Sequence, residues 1–199
     1  MPVRVAVLAS GRGSNLKSLI DYLADRGDAA NARIALVASN RADAGALVHA
    51  RESNIDTTVF DASDNGSALL KVLRQHSIGL VVLAGYLKRI PPTVVREYAG
   101  RIINVHPGIL PEFGGAGMYG AKVHSAVIAK RSKTTGVTIH LVDDEFDHGP
   151  VVAQWRIAVR DDDTPDSLAA RVLEAEHIVY PRVVDMIAAL NDSNFLADF

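Results

Sequence analysis

The sequence predicts an α/β fold, a Rossmann-like, mainly parallel twisted sheet with helices on both faces. Three observations predict it. Short apolar runs of strand type alternate with segments of helical spacing along the chain. Two of those runs, Val3 to Ala9 and Ile78 to Ala84, are nearly continuous, as strands covered on both faces require. The first run also ends in a glycine turn that passes straight into a helical pattern, the opening of a βαβ unit.

In chain order, Val3 to Ala9 carries Val at positions 3, 5 and 7 and stops at Ser10-Gly11-Arg12-Gly13-Ser14-Asn15. Leu16, Leu19, Ile20 and Leu23 then recur at helical spacing. Arg33 to Ser39 is a second strand and Ala42 to Ser53 a helix; Thr57 to Phe60 is a short third strand. Ser67 to His76 is helical through Leu69, Leu70, Val72 and Leu73, and Ile78 to Ala84 is the strongest buried strand. Pro91-Pro92 opens a short helix, since Pro is tolerated in a first turn. Arg101 to Val105 is a fifth strand. The stretch from Pro107 to Gly120 holds five Gly and two Pro, so it is a long loop of the functional kind. Lys122 to Arg131 is a helix and Gly136 to Val142 an alternating strand. Asp143 to Gly149 is an acidic loop, Val151 to Val159 another strand, and Thr164-Pro165 starts a helix reaching Leu190.

The chain has 199 residues, which fits one domain over 1–199, with 191–199 as a loose tail. The hydrophobic fraction of 48% and charged fraction of 22% are those of a globular protein rather than a disordered one. The absence of Cys excludes disulfides, thiolate zinc sites, iron–sulfur clusters and cysteine nucleophiles. A net charge of −2 gives no long-range attraction to nucleic acid or anionic membrane, so any bound anion is held by local geometry. No apolar run reaches the roughly 18–20 residues that span a bilayer. The N-terminus is too short for a signal peptide, so a cytoplasmic location is expected.

Beyond the ends of the strands lie the groups that carry chemistry. Gly11 and Gly13 allow a tight turn, and Ser14 and Asn15 add donors at a helix N-terminus, a phosphate cradle. A dinucleotide fingerprint needs Gly where Leu16 stands and an acid after the second strand, and both are missing. An ordinary βα turn stays open as a reading, as does NADP, with Arg41 meeting its 2′-phosphate. Asn104 and His106 sit two apart at a strand end and project from one face. An amide and an imidazole side by side suit a reaction that builds charge on oxygen and moves a proton; a loop cap is the plainer reading. His140 to His148 holds two His and four acids, readable as a metal site, a solvated loop, or one carboxylate, Asp147, orienting His106. Gly85 to Ile90 either lines a pocket for a ring or simply turns the chain. Glu176-His177 faces a ligand or, as the simpler expectation, solvent.

Taken together these segments resemble the folate-dependent glycinamide ribonucleotide formyltransferases of purine biosynthesis. The resemblance runs from Val3 to Leu190. It rests on Gly-Arg-Gly-Ser-Asn-Leu at 11–16, Leu-Ala-Gly-Tyr-Leu-Lys-Arg-Ile at 83–90 and Asn-Val-His-Pro-Gly-Ile-Leu-Pro at 104–111. Gly-Met-Tyr-Gly at 117–120, Asp-His-Gly-Pro at 147–150 and Glu-His at 176–177 complete it. The resemblance implies a formyltransferase fold and transfer of a formyl group from 10-formyltetrahydrofolate to the glycinamide amine, by direct attack through a tetrahedral intermediate. It implies that Gly13, Ser14 and Asn15 hold the substrate phosphate and that Glu176 contacts the ribonucleotide. Leu87, Lys88, Arg89 and Ile90, with Asn104, line the folate pocket. Asn104, His106 and Asp147 form the catalytic set, with Asp147 raising the His106 pKa, and no metal is used. The implied partners are the two small-molecule substrates, without nucleic acid or membrane, in a monomer or homodimer. Two positions depart from the family pattern. The loop after Pro111 reads Glu-Phe-Gly-Gly-Ala-Gly-Met-Tyr-Gly in place of a Pro-Gly-x-His type, and suggests a lid. Asp64-Asn65-Gly66-Ser67 replaces an Arg that holds the folate tail, leaving Lys88 and Arg89 to compensate. Formyltetrahydrofolate hydrolases and methionyl-tRNA formyltransferases share the Asn–His–Asp set but carry extra domains that a chain of this length does not accommodate.

Overall fold

The computed structural model describes residues 1–190, so the expected tail at 191–199 lies outside the described residues. Seven strands form one sheet: β1 (Val3–Leu8), β2 (Ala32–Ser39), β3 (Thr57–Val59), β4 (Leu80–Leu83), β5 (Ile102–His106), β6 (Thr134–Leu141) and β7 (Val151–Ala158). Six α-helices connect or cover them: α1 (Ser14–Arg26), α2 (Gly45–Glu52), α3 (Ser67–Gln75), α4 (Pro92–Glu97), α5 (Ala121–Ala129) and α6 (Pro165–Leu190). The strand order is β3-β2-β1-β4-β5-β6-β7. The pairs among β1 to β5 are parallel, and β6 and β7 add on antiparallel. The order reverses between β1 and β4, and the crevice beyond the carboxyl ends of those strands is the place where ligands bind in such sheets.

The continuous apolar strands are explained by the two cores. Val5, Val7 and Ala9 pack with Leu16, Leu19, Leu47 and Leu168 of α1, α2 and α6. Ala6 and Leu8, pointing the other way, pack with Leu69, Leu73 and Val94 of α3 and α4. Most boundaries shift by one to three residues, and two of the shifts bear on the site. The second helix starts at Gly45 rather than Ala42, because Ala44 is extended and its N–H closes a turn on the Arg41 carbonyl at 3.3 Å. The fifth strand runs one residue further, so Asn104 and His106 both belong to β5 and are paired with His140 and Thr138 of β6.

Helix α6 ties the molecule together under the crevice. Tyr180, fully buried, points its hydroxyl at the carbonyls of Leu83 (2.9 Å) and Ile103 (3.4 Å), the last residue of β4 and the residue before Asn104. Asp185, further along, accepts from the N–H groups of Asn31 (2.7 Å) and Ala32 (3.2 Å) where β2 begins. Among the described residues no helix is long and apolar enough to cross a membrane.

Candidate active site

A cavity of about 540 Å³ opens at the switch point, and it is lined by every residue of the expected catalytic, substrate-binding and folate-binding sets. Gly13, Ser14 and Asn15 come from the turn before α1, Leu87 to Ile90 from the segment after β4, and Asn104 and His106 from the end of β5. Asp147 comes from the loop before β7 and Glu176 from α6.

The glycine turn is built by a close approach. Gly13 has φ +83°, and a Cβ there would stand 2.6 Å from Ala46 Cα, so only glycine lets α2 pack against the start of α1. No side chain caps α1, and the N–H groups of Gly13, Ser14 and Asn15 make no hydrogen bond to the described chain. Three free donors at the positive end of a 13-residue helix favour an anion. The side chain of Asn15 does not join them, contrary to the expectation of a second donor there. Its Nδ2 donates to Glu176 Oε2 at 2.5 Å, 161 positions away, and its Oδ1 is buried without a partner. Arg41 does not line the cavity; its guanidinium forks onto Asp43 at 3.0 and 2.8 Å.

At the end of β5 the two predicted side chains meet two more. His106 is 3% exposed; its Nε2–H donates to the Phe113 carbonyl at 2.8 Å, and Nδ1 lies 3.4 Å from Asp147 Oδ2. Both ring nitrogens therefore face acceptors. Asn104 Nδ2 is 3.1 Å from Nε2 of His140, the residue directly opposite it on β6, and that same Nε2 is 3.5 Å from Asp147 Oδ1. The Gly115 N–H donates to Asp147 Oδ2 at 3.1 Å. Burial works against the charge on Asp147, but its hydrogen bonds to His106 and His140, the charge of His106 and the Gly115 N–H outweigh it. They hold the carboxyl well below the usual carboxylate range. Residues 41 apart in sequence thus meet, a contact that spacing alone does not reveal. The long loop is fastened to this network: Thr138 Oγ1 bridges the Gly108 carbonyl (2.7 Å) and the Leu110 N–H (3.2 Å), and Gly114 sits where a Cβ would meet Leu110 at 2.3 Å.

Glu176 corrects the simpler expectation for α6. It faces the cavity, 6% exposed, and burial pushes its carboxyl up to about 7 against the lowering effect of Asn15. After β4, Lys88, Arg89 and Ile90 leave their backbone N–H and C=O groups without partners in the described chain, which suits recognition of a planar heterocycle. Three of the seven buried, unpartnered side-chain polar atoms belong to residues of the cavity wall: Asn15 Oδ1, Tyr86 Oη and His124 Nδ1. Such atoms are rare in folded proteins, and their gathering here marks a place that a ligand completes. His140 and His124 are the residues that sequence reasoning missed or misassigned. A polar His inside the otherwise apolar run Gly136 to Val142 was the available signal for the first; nothing local distinguished the second.

Comparison with known proteins identifies the family of the chain. Residues 3–184 match the family model described as formyl transferase. The chain is 41% identical over 191 residues to the chloroplastic phosphoribosylglycinamide formyltransferase of Arabidopsis thaliana, covering 92% of this chain and 65% of that protein. It is 35% identical over 192 residues to the phosphoribosylglycinamide formyltransferase of Escherichia coli (strain K12), covering 94% and 87%. The crystal structure of the phosphoribosylglycinamide formyltransferase from Anaplasma phagocytophilum superposes with a TM-score of 0.87 at 36% identity, covering 95% of this chain and 88% of that one.

Proposed function

The chain belongs to the formyl transferase family, and from that premise we propose that it transfers the formyl group of 10-formyltetrahydrofolate to the amine of glycinamide ribonucleotide, a step of purine biosynthesis. One observation carries the reading: an amide–imidazole–carboxylate set and an uncapped helix start open into the same cavity. The phosphate of the ribonucleotide sits on the free N–H groups of Gly13, Ser14 and Asn15. Glu176, held by Asn15, accepts from a ribose hydroxyl. The backbone of Leu87 to Ile90 reads the pterin ring, and a cavity of this size suits ligands of that class.

With both substrates held, the amine attacks the formyl carbon and negative charge develops on the formyl oxygen. Asn104 donates its amide N–H to that oxygen. His106 joins it by exchanging its bond to the Phe113 carbonyl for one to the new oxygen, while Asp147 holds the other ring nitrogen. Each such donor typically supplies about 2.7–4 kcal/mol of barrier lowering. The test is absorbance-monitored loss of 10-formyltetrahydrofolate with and without glycinamide ribonucleotide. Loss that requires the ribonucleotide supports the transfer; loss at the same rate without it means hydrolysis and refutes it.

A further inference from the structure

Among the histidines of the cavity wall, His124 alone makes no hydrogen bond within the described residues. It stands in the first turn of α5, 4% exposed, with Nδ1 enclosed and unpartnered. Its helix brings it to His106. A Cβ on Gly108 would lie 3.2 Å from His106 Nε2 and 2.8 Å from Val123 Cγ1, so the start of α5 and the His106 ring flank the same residue. Burial, and after it the charge of His106, lower the His124 pKa, so the ring is neutral near pH 7 and keeps one nitrogen as an acceptor.

The imidazole and carboxylate groups assigned above to the reaction and to the ribonucleotide are engaged. Both nitrogens of His106 face acceptors, Asp147 is bound through both oxygens, and Glu176 is held by Asn15. The reaction nevertheless has a proton to place, because an amine that forms a bond to carbon must lose one. We propose that His124 is a further catalytic residue, the acceptor of the proton released by the attacking amine; this rests on the transfer reading above. The nitrogen lone pair forms the N–C bond, and the carbonyl pair moves to the oxygen beside Asn104. The surplus N–H proton passes, directly or through one water, to Nε2 of His124, the ring nitrogen that is neither enclosed nor hydrogen-bonded. When the bond from that carbon to the folate nitrogen breaks, its electron pair stays on the folate nitrogen. His124 returns the proton there and ends the cycle neutral. No electrons leave or enter the two substrates.

The titratable groups sharing the cavity with His124 are His106 from β5, His140 from β6, Asp143, Glu145 and Asp147 from the loop before β7, and Glu176 from α6; Tyr86, Lys88 and Arg89 follow β4, Arg12 precedes α1, Tyr119 precedes α5, and Lys122 lies beside His124 on α5. Of these, His106 is the one whose charge acts on it.

The experiment compares wild type, His124→Gln and His124→Ala in the folate assay with glycinamide ribonucleotide across pH. The expected result is a fall in kcat of about a hundredfold in both variants. The decline of kcat at acid pH that follows protonation of His124 is lost with it, and added imidazole restores the rate of His124→Ala. Wild-type kcat and pH profile in the Gln variant, or a loss that imidazole does not restore in a folded Ala variant, overturns the role. Should His124→Ala fail to fold, nitrogen-15 histidine spectra of the wild-type protein decide: a His124 signal that moves on adding glycinamide ribonucleotide supports it, and one that does not overturns it. A wild-type enzyme that ignores the ribonucleotide refutes the transfer reading instead, and is distinguished by the wild-type arm alone.

Discussion

Of the carboxylates that line the cavity, Asp147 and Glu176 face the predicted catalytic and ribonucleotide ends, and burial penalises the charge of both. They end on opposite sides of the normal range. Asp147 meets two imidazoles and a backbone N–H and stays ionised, whereas Glu176 has one neutral amide donor and is pushed up to about 7. The difference lies in partners as well as depth, since Glu176 is the more deeply buried of the two, and it divides labour within the site. The end around Asp147 is a closed network whose charges are already balanced before substrate arrives. The end around Glu176 and Gly13 keeps open donors and an orphaned Asn15 oxygen, so it is completed by what binds.

Five predictions break or sharpen this contrast. The largest effect falls on the closed end: His106→Ala should lower kcat by about a hundredfold or more, the cost of an oxyanion donor, and steady-state turnover near wild type would refute its role. Asp147→Asn should follow it closely in kcat, with KM for the ribonucleotide nearly unchanged. At the open end the effect should move to binding. Glu176→Gln should raise the KM for the ribonucleotide about tenfold or more, the worth of a hydrogen bond to a charged group, while kcat at saturation holds. A fall in kcat with unchanged KM would erase the division.

The smallest effects are in pH. A ribose hydroxyl donates best to ionised Glu176, so KM for the ribonucleotide should rise as pH falls below about 7, and Glu176→Gln should flatten that rise. Stability should respond in opposite senses at the two ends. Glu176 holds its proton more tightly folded than unfolded, so its contribution falls as pH rises from the ordinary 4.5 towards about 7. Asp147 releases its proton more readily when folded, so its contribution is complete above the ordinary 3.8 and is lost as pH falls through its depressed value. Calorimetric Tm against pH for the wild type, Glu176→Gln and Asp147→Asn checks both slopes.

Most of the scaffold was legible because local rules and tertiary burial agree here. Continuous Val-rich runs became two-faced strands, and Pro92 and Pro165 opened helices. The candidate site was legible in its membership, since strand ends and glycine turns point to the crevice, but not in its wiring. That the side chain of Asn15 bonds to Glu176 depends on how α6 crosses α1, and no spacing encodes it. His140 became visible only through register, once β6 was known to run antiparallel beside β5. Glu176 belongs to a helix whose flanking residues are polar enough to suggest solvent, yet its face is set by Val172 and Tyr180, four residues to either side and both fully buried.

The close packing at Gly13 reaches beyond the turn itself. Ala46 is not among the residues that line the cavity, yet its Cα stands where a side chain on Gly13 would begin. Any residue larger than alanine at 46 pushes on the anchor for an anion it never meets. A contact map drawn from the ligand outward would score that position as silent. A library of variants sorted by growth on purine-free medium would find it among the least forgiving.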